Sequence, residues 1–113
     1  MTDVLRIEIA KTLLVLEREQ RRLGAWETLA PDPARLASDV PFCHDTLEFT
    51  QWVQWVFLPR FRAVLEGDHR LPQASAIAPI AEDALARLDG DTDAMLDAFR
   101  SIDRLLNSQG HTR

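Results

Sequence analysis

The sequence is poor in the features that mark several large classes of protein. It has one cysteine, Cys43, in 113 residues. No internal disulfide can form, which excludes a cross-linked secreted mini-domain and fits a reducing cytoplasm. No stretch approaches 18 apolar residues, so no membrane-spanning helix is expected. The opening MTDVLRIEIAKTLLVLEREQ is interrupted by Asp3, Arg6, Glu8 and Lys11, which leaves no signal-peptide apolar region and predicts a cytoplasmic protein. There is no β-hairpin signal, internal repeat or low-complexity tract. Basic residues are outnumbered, 13 against 18 acidic, for a net charge of −5. That balance disfavours autonomous binding to phosphate backbones.

What is present reads as helix. The chain is 46% hydrophobic and 27% charged, normal for a globular fold, and its length suits one domain over residues 1–113 with a real core. Residues 3–23 carry Leu5, Ile9, Leu13, Leu16 and Leu23 on one face. Asp3 is placed to cap the start and Gly24 to stop the helix. Ile7 and Leu14 lie on the opposite side, so either neighbours pack on two faces or one face meets another protein. Residues 24–45 form a long connection with Pro31, Pro33 and Pro41, one short helical turn near 34–37, and Trp26, Leu29, Leu36 and Phe42 as anchors.

A second helix is predicted over 46–66, with Asp45 as its cap and Glu48 completing a capping box. Its apolar residues, among them Phe49, Trp52 and Phe57, point all round the axis, as in the buried element of a bundle. Pro59 removes a hydrogen bond and clashes with the Trp55 carbonyl, so a kink or break is expected there, and Gly67 ends the helix. A third helix over 79–89 starts on Pro79 and uses Ile80, Ala81, Ala84, Leu85 and Leu88 as its apolar face. After the Asp89-Gly90-Asp91 turn, a fourth over 92–109 carries Met95, Leu96, Phe99, Ile102, Leu105 and Leu106, ends at Gly110, and leaves a frayed tail. The expected fold is all-α, a compact four-helix bundle with a kinked or broken, largely buried second helix.

No credible catalytic, cofactor or metal set stands out. Cys43-His44-Asp45 are adjacent, poor geometry for a nucleophile relay, and Cys43 reads better as a small buried hydrophobe. His44 and Glu48 are one helical turn apart but lack further ligands. Glu82, Asp83, Asp89, Asp91, Asp93 and Asp97 fail the calcium-loop spacing and read as a solvated face. Arg18, Arg21, Arg22, Arg60 and Arg62 are diluted by Glu17, Glu19 and Glu66, and no nucleic-acid reader motif accompanies them. The polar residues of the second helix are the unusual feature. Gln51, Gln54 and Arg60 sit among Trp52, Trp55, Phe57 and Phe61. In one reading the glutamines satisfy backbone groups of the 24–45 connection and the tryptophans are core. In the other, Gln51, Gln54, Trp55 and Arg60 form a partner-binding patch.

The stretch PFCHDTLEFTQWVQWVFLPRF, residues 41–61, resembles the YqcC-like family of small bacterial proteins. The likeness continues in LPQASAIAPIAEDAL, residues 71–85, and DRLLN, residues 103–107, and extends to the first helix with Arg22 and Trp26. Its specific part is Pro41, Phe42, Asp45, Thr46, Phe49, Gln51, Trp52, Gln54, Phe57, Pro59 and Arg60. Trp55 departs from the aliphatic or Phe residue common in the family. The resemblance implies a compact helical bundle and no established enzymatic activity. It also implies an accessory role, since members are often encoded beside a tRNA pseudouridine synthase. The expectation is therefore a non-catalytic interaction protein with a protein partner, a tRNA pseudouridine synthase, touching RNA only within that complex. The alternative is a small-ligand-binding bundle or uncharacterised enzyme with a pocket near Pro59, lined by Gln51, Gln54 or Arg60.

Overall fold

A computed structural model describes residues 2–67 and 69–109, without the side chains of Thr2 and Asp3. The expected cap at Asp3, the stop at Gly110 and the 111–113 tail lie outside it. The described residues contain helices and no strands, in the order α1 (Thr2–Arg22), α2 (Pro33–Leu36), a 3-10 turn (Pro41–Cys43), α3 (Phe49–Trp52), a π turn (Val53–Phe57), α4 (Leu58–Glu66), α5 (Ala78–Leu85) and α6 (Asp93–Asn107). No helix among them is long and apolar enough to cross a membrane. The fold is the expected small helical bundle, with α3, the π turn and α4 running on as one interrupted helix.

Helix α1 stops where expected. Gly24 takes φ +75°, a backbone angle that costs glycine nothing. The Ala25 N–H reaches the Gln20 carbonyl at 2.8 Å and the Gly24 N–H reaches Arg21 at 3.1 Å, the paired bonds of a Schellman cap. Ile9, Leu13 and Leu16 are buried, while Val4, Ile7 and Leu14 are exposed. Among the described residues no neighbour covers Val4, Ile7 and Leu14, so α1 packs on one side there and not on two.

The interruption expected at Pro59 is a widened turn, not a break. The Leu58 N–H bonds the Val53 carbonyl, one residue farther back than in an α-helix. This local unwinding relieves the clash that a proline ring makes with the carbonyl four residues earlier, here Trp55. The helix then continues to Glu66. There Arg6 of α1 donates to the Val64 carbonyl at 3.3 Å, to Leu65 at 3.4 Å and to His69, which satisfies carbonyls that the helix end leaves open.

One core holds these elements together. Helix α1 lies along α6 and touches α4, and α5 packs on α6. Phe99 and Ile102 of α6 meet Ile9 and Leu13 of α1, Val53 and Leu58 of the interrupted helix, and Leu85 of α5. A smaller cluster of Cys43, Leu47 and Val56 sits under the connection, with Leu36 and Trp52 against it.

Three expectations need correction. Asp45 does not cap the second helix. The Thr46 and Leu47 N–H groups turn back to the Cys43 carbonyl at 3.0 and 2.8 Å, so the helix begins later, at Phe49. There Gln51 accepts the Glu48 N–H at 2.8 Å. Asp45 instead accepts the Ser38 hydroxyl at 2.6 Å. Leu29 anchors nothing, being 83% exposed. Helix α5 ends at Leu85, and only Ala81 and Leu85 are buried; Ile80 and Leu88 stay 39% and 36% exposed.

Helix α5 also starts by an unforeseen device. Asp103 of α6 accepts the Ala78 N–H at 2.8 Å, the Ile77 N–H at 3.1 Å and the Ser75 hydroxyl at 2.5 Å. Asn107 pairs with both the N–H and the carbonyl of Ser75, each at 2.8 Å. A carboxylate from another helix thus occupies the place of an N-cap.

Candidate functional site

Three of the four residues singled out in the second helix converge on one target, Glu27. Gln54 is 5% exposed; it accepts the Glu27 N–H at 2.8 Å and donates to the Glu27 carbonyl at 2.7 Å. Gln51 donates to one Glu27 carboxylate oxygen at 3.0 Å and the Trp55 indole N–H donates to the other at 3.1 Å. One residue of the connection is therefore gripped through its backbone and its side chain together. Arg60 is exposed and takes no part in this set. Glu27 escapes sequence reading because its partners lie 24 to 28 residues away.

The grip extends along the connection. Arg35 donates to the Thr46 carbonyl at 2.8 Å, and the Thr46 hydroxyl donates to the Arg35 carbonyl at 2.7 Å. Gln20 of α1 is fully buried and donates to the Thr50 carbonyl at 3.2 Å. Chemically, the set around Gln51 and Gln54 orders the loop. Its donors and acceptors are turned toward one another.

Cys43 is buried and His44 is exposed, so the two side chains do not meet at one surface. Among the described residues, no three His, Cys, Asp or Glu side chains gather as metal ligands. Phe42 and Cys43 have φ of 61° and 49°, a left-handed pair that costs about 1–3 kcal/mol per residue. Burial of Cys43 with Leu47 and Val56 and the edge-on contact of Phe42 with Trp52 at 4.8 Å hold it in place.

Phe42 of this strained pair forms part of the wall of a cleft of about 890 Å³ between residues 40–50 and helix α5. Val40, Phe42, Leu47, Phe49, Ile80 and Leu88 give it an apolar lining. A second cleft of about 500 Å³ lies on the other side of Ile80, against Phe57 and Phe61. Gln51, Gln54, Trp55 and Arg60 line neither. Neither of these two clefts is the concavity expected near Pro59.

The arginines near the end of α1 are matched by carboxylates. Arg62 and Arg21 bond the two oxygens of Glu17 at 2.7 and 2.9 Å, and Arg21 lies 4.6 Å over the Trp26 ring. Arg22 and Arg18 share Glu19. The Arg62 hydrogen bond holds the Glu17 carboxyl below the ordinary glutamate value of 4.5, and Arg22 does the same for Glu19. A depressed carboxylate pKa adds stability that is complete above the unfolded value and is lost as pH falls through the folded one. The penalty of Glu17→Gln, about 1 kcal/mol or less for so accessible a pair, will therefore shrink as pH drops below 4.5. Urea titrations of both proteins at a series of pH values check this. A penalty that grows on acidification contradicts it.

A model of the family described as tRNA pseudouridine synthase C matches residues 8–105. An uncharacterized protein of Haemophilus influenzae is 31% identical over 104 residues, which span 92% of this chain and 97% of that protein. Uncharacterized protein YqcC of Escherichia coli is 36% identical over 93 residues, 82% of this chain and 85% of that one. The solution NMR structure of YqcC superposes with a TM-score of 0.76, covering 94% of this chain and 89% of that one at 34% identity. A protein of Pectobacterium carotovorum named tRNA pseudouridine synthase C is 34% identical over 67 residues, 59% of this chain and 18% of that protein.

Proposed function

The chain belongs to the YqcC-like family, and from that membership we propose that it is a non-catalytic accessory protein that docks onto a tRNA pseudouridine synthase. The observation that carries the reading is the partial match to the Pectobacterium protein. The 67 shared residues are 18% of it, so about 300 residues, room for at least one further domain, lie outside the match. A segment like this chain there shares a polypeptide with the rest of a protein bearing the synthase name. One further point supports a protein partner: a net charge of −5 suits one better than bare RNA.

The test is co-purification of the untagged chain with the tRNA pseudouridine synthase C of the same organism. The expected result is a complex that survives gel filtration at micromolar concentration. Two folded proteins that elute separately under those conditions overturn the reading. Within such a complex, Trp55→Phe removes only the indole bond to Glu27. Unchanged capture by that variant assigns Trp55 to the latch, and lost capture by a folded variant assigns it to the interface.

A further inference from the structure

We infer that the cleft between residues 40–50 and helix α5 is the seat for a basic, amphipathic segment of the partner enzyme, whose apolar side chains enter the cleft. The inference rests on the partnership proposed above and adds the surface and the chemistry of the segment.

Three observations meet at this place. The first is shape: about 890 Å³ of concavity with an apolar floor can take several side chains of a docked helix or strand, the helix-in-groove manner of binding. The second is exposure. Val40, Ile80 and Leu88 belong to the few large apolar side chains that the fold leaves open, and all three line this cleft. Exposed apolar surface gathered in one hollow marks a binding site far better than the same residues scattered.

The third is charge. The lining runs over residues 40–50 and 79–88, and its charged members are Glu48, Asp83 and Arg87. The two segments that contain this lining, 39–50 and 78–91, hold seven carboxylates and one arginine, a net of −6 in a chain whose total is −5. The rest of the sequence is thus close to neutral, and the acidity is concentrated in the segments that border this hollow. Arg87 is itself paired with Asp83 at 3.1 Å. An apolar floor bordered by acidic segments is complementary to a segment with apolar anchors and Lys or Arg flanks, and it disfavours phosphate. The outer face of α1 also exposes Val4, Ile7 and Leu14, but it is a convex helix surface interspersed with Lys11 and Arg18, without comparable charge bias.

The experiment uses the full chain and the full synthase, with the dissociation constant measured by titration calorimetry. Ile80→Ser with Leu88→Ser removes anchors that are already partly exposed, and Asp83→Lys on the wall with Asp89→Lys beside it reverses the charge there. Circular dichroism melts verify that each variant is folded. The expected result is about tenfold or more weakening for the first pair of changes. For the second pair we expect comparable weakening at about 50 mM salt that fades at about 300 mM. A control, Val4→Ser with Ile7→Ser and Leu14→Ser, binds as the parent does. If the parent binds but both cleft variants bind equally well, the partnership stands and the cleft assignment falls. If only the α1 control loses affinity, the interface is on α1 and the assignment falls. If the parent does not bind the synthase at all, both readings fall. A dimer of the chain alone that sedimentation detects and Ile80→Ser with Leu88→Ser dissolves gives the cleft to a second copy. A small molecule that co-purifies with the parent and not with that variant gives it to a ligand. Either result overturns the inference.

Discussion

Replacing Phe99 by alanine will lower stability by about 3–5 kcal/mol, the cost of a vacated aromatic site in a packed core. Phe99 has no solvent exposure. Its ring lies 5.5 Å from Phe49 and 6.0 Å from Phe57, centroid to centroid, so one side chain of α6 joins α3 to the end of the π turn. Phe49 and Trp52 on α3 and Phe57 and Phe61 beyond it continue the aromatic contact. Removing the centre cannot be repaired by a small shift, because the facing rings are held by the interrupted helix. For a domain of this size that loss lowers the melting temperature by roughly 15 °C and removes a large share of the usual net stability of about 5–15 kcal/mol. Urea and thermal unfolding of Phe99→Ala and Phe99→Leu check the prediction, with the leucine variant losing much less. A loss under about 1 kcal/mol for alanine contradicts this packing.

Gln54→Ala will cost about 2–4 kcal/mol, although it deletes a polar side chain. Gln54 bonds both backbone groups of Glu27, and each group left dry and unpaired costs about 1–3 kcal/mol. The chain has one escape, which is to let residues 24–28 lift off and take water. That escape surrenders the packing of Trp26 on the core and the bonds of Gln51 and Trp55 to Glu27. Amide exchange separates the two outcomes: fast exchange at Glu27 reports release, while slow exchange with lowered global stability reports an unpaired N–H. Glu27→Gln is the milder companion, because it keeps the backbone bonds and weakens only those to the side chain. A Gln54→Ala protein as stable as the parent, with Glu27 still protected, contradicts the latch.

How far the fold was legible depended on how local its causes are. Helices α1 and α6 announce themselves by apolar period, and Gly24 and Pro59 act on their immediate neighbours. The start of the second helix failed by a few residues. Asp45 has the right chemistry, but the turn onto the Cys43 carbonyl consumes the amides it would have capped. The Glu48 and Gln51 pair, three residues on, takes over the start. Leu88 looked like a continuation of the α5 face, yet the helix ends at Leu85 and leaves it at a rim. What could not be read were contacts made across the chain. Glu27 is an ordinary glutamate until Gln51, Gln54 and Trp55 arrive around it, and Asp103 is an ordinary surface acid until Ala78 reaches it. The clefts are spaces between elements, and no sequence period encodes them. The glutamines drew notice because polar groups among tryptophans need partners; their partner was a loop residue that had drawn none.

The carboxylate of Asp103 gives α5 a dependent character. Eight residues are too few for a helix to hold itself in water, and this one begins on a group borrowed from α6. Its order is inherited: α6 can stay folded against α1 while α5 peels away, but α5 has no folded state once α6 is gone. The segment that walls the cleft therefore belongs to the first layer to open in a partial unfolding of the molecule. Opening that layer uncovers Ala81 and Leu85, which the folded chain buries beside Phe99, so its cost is set by how tightly those two side chains meet α6.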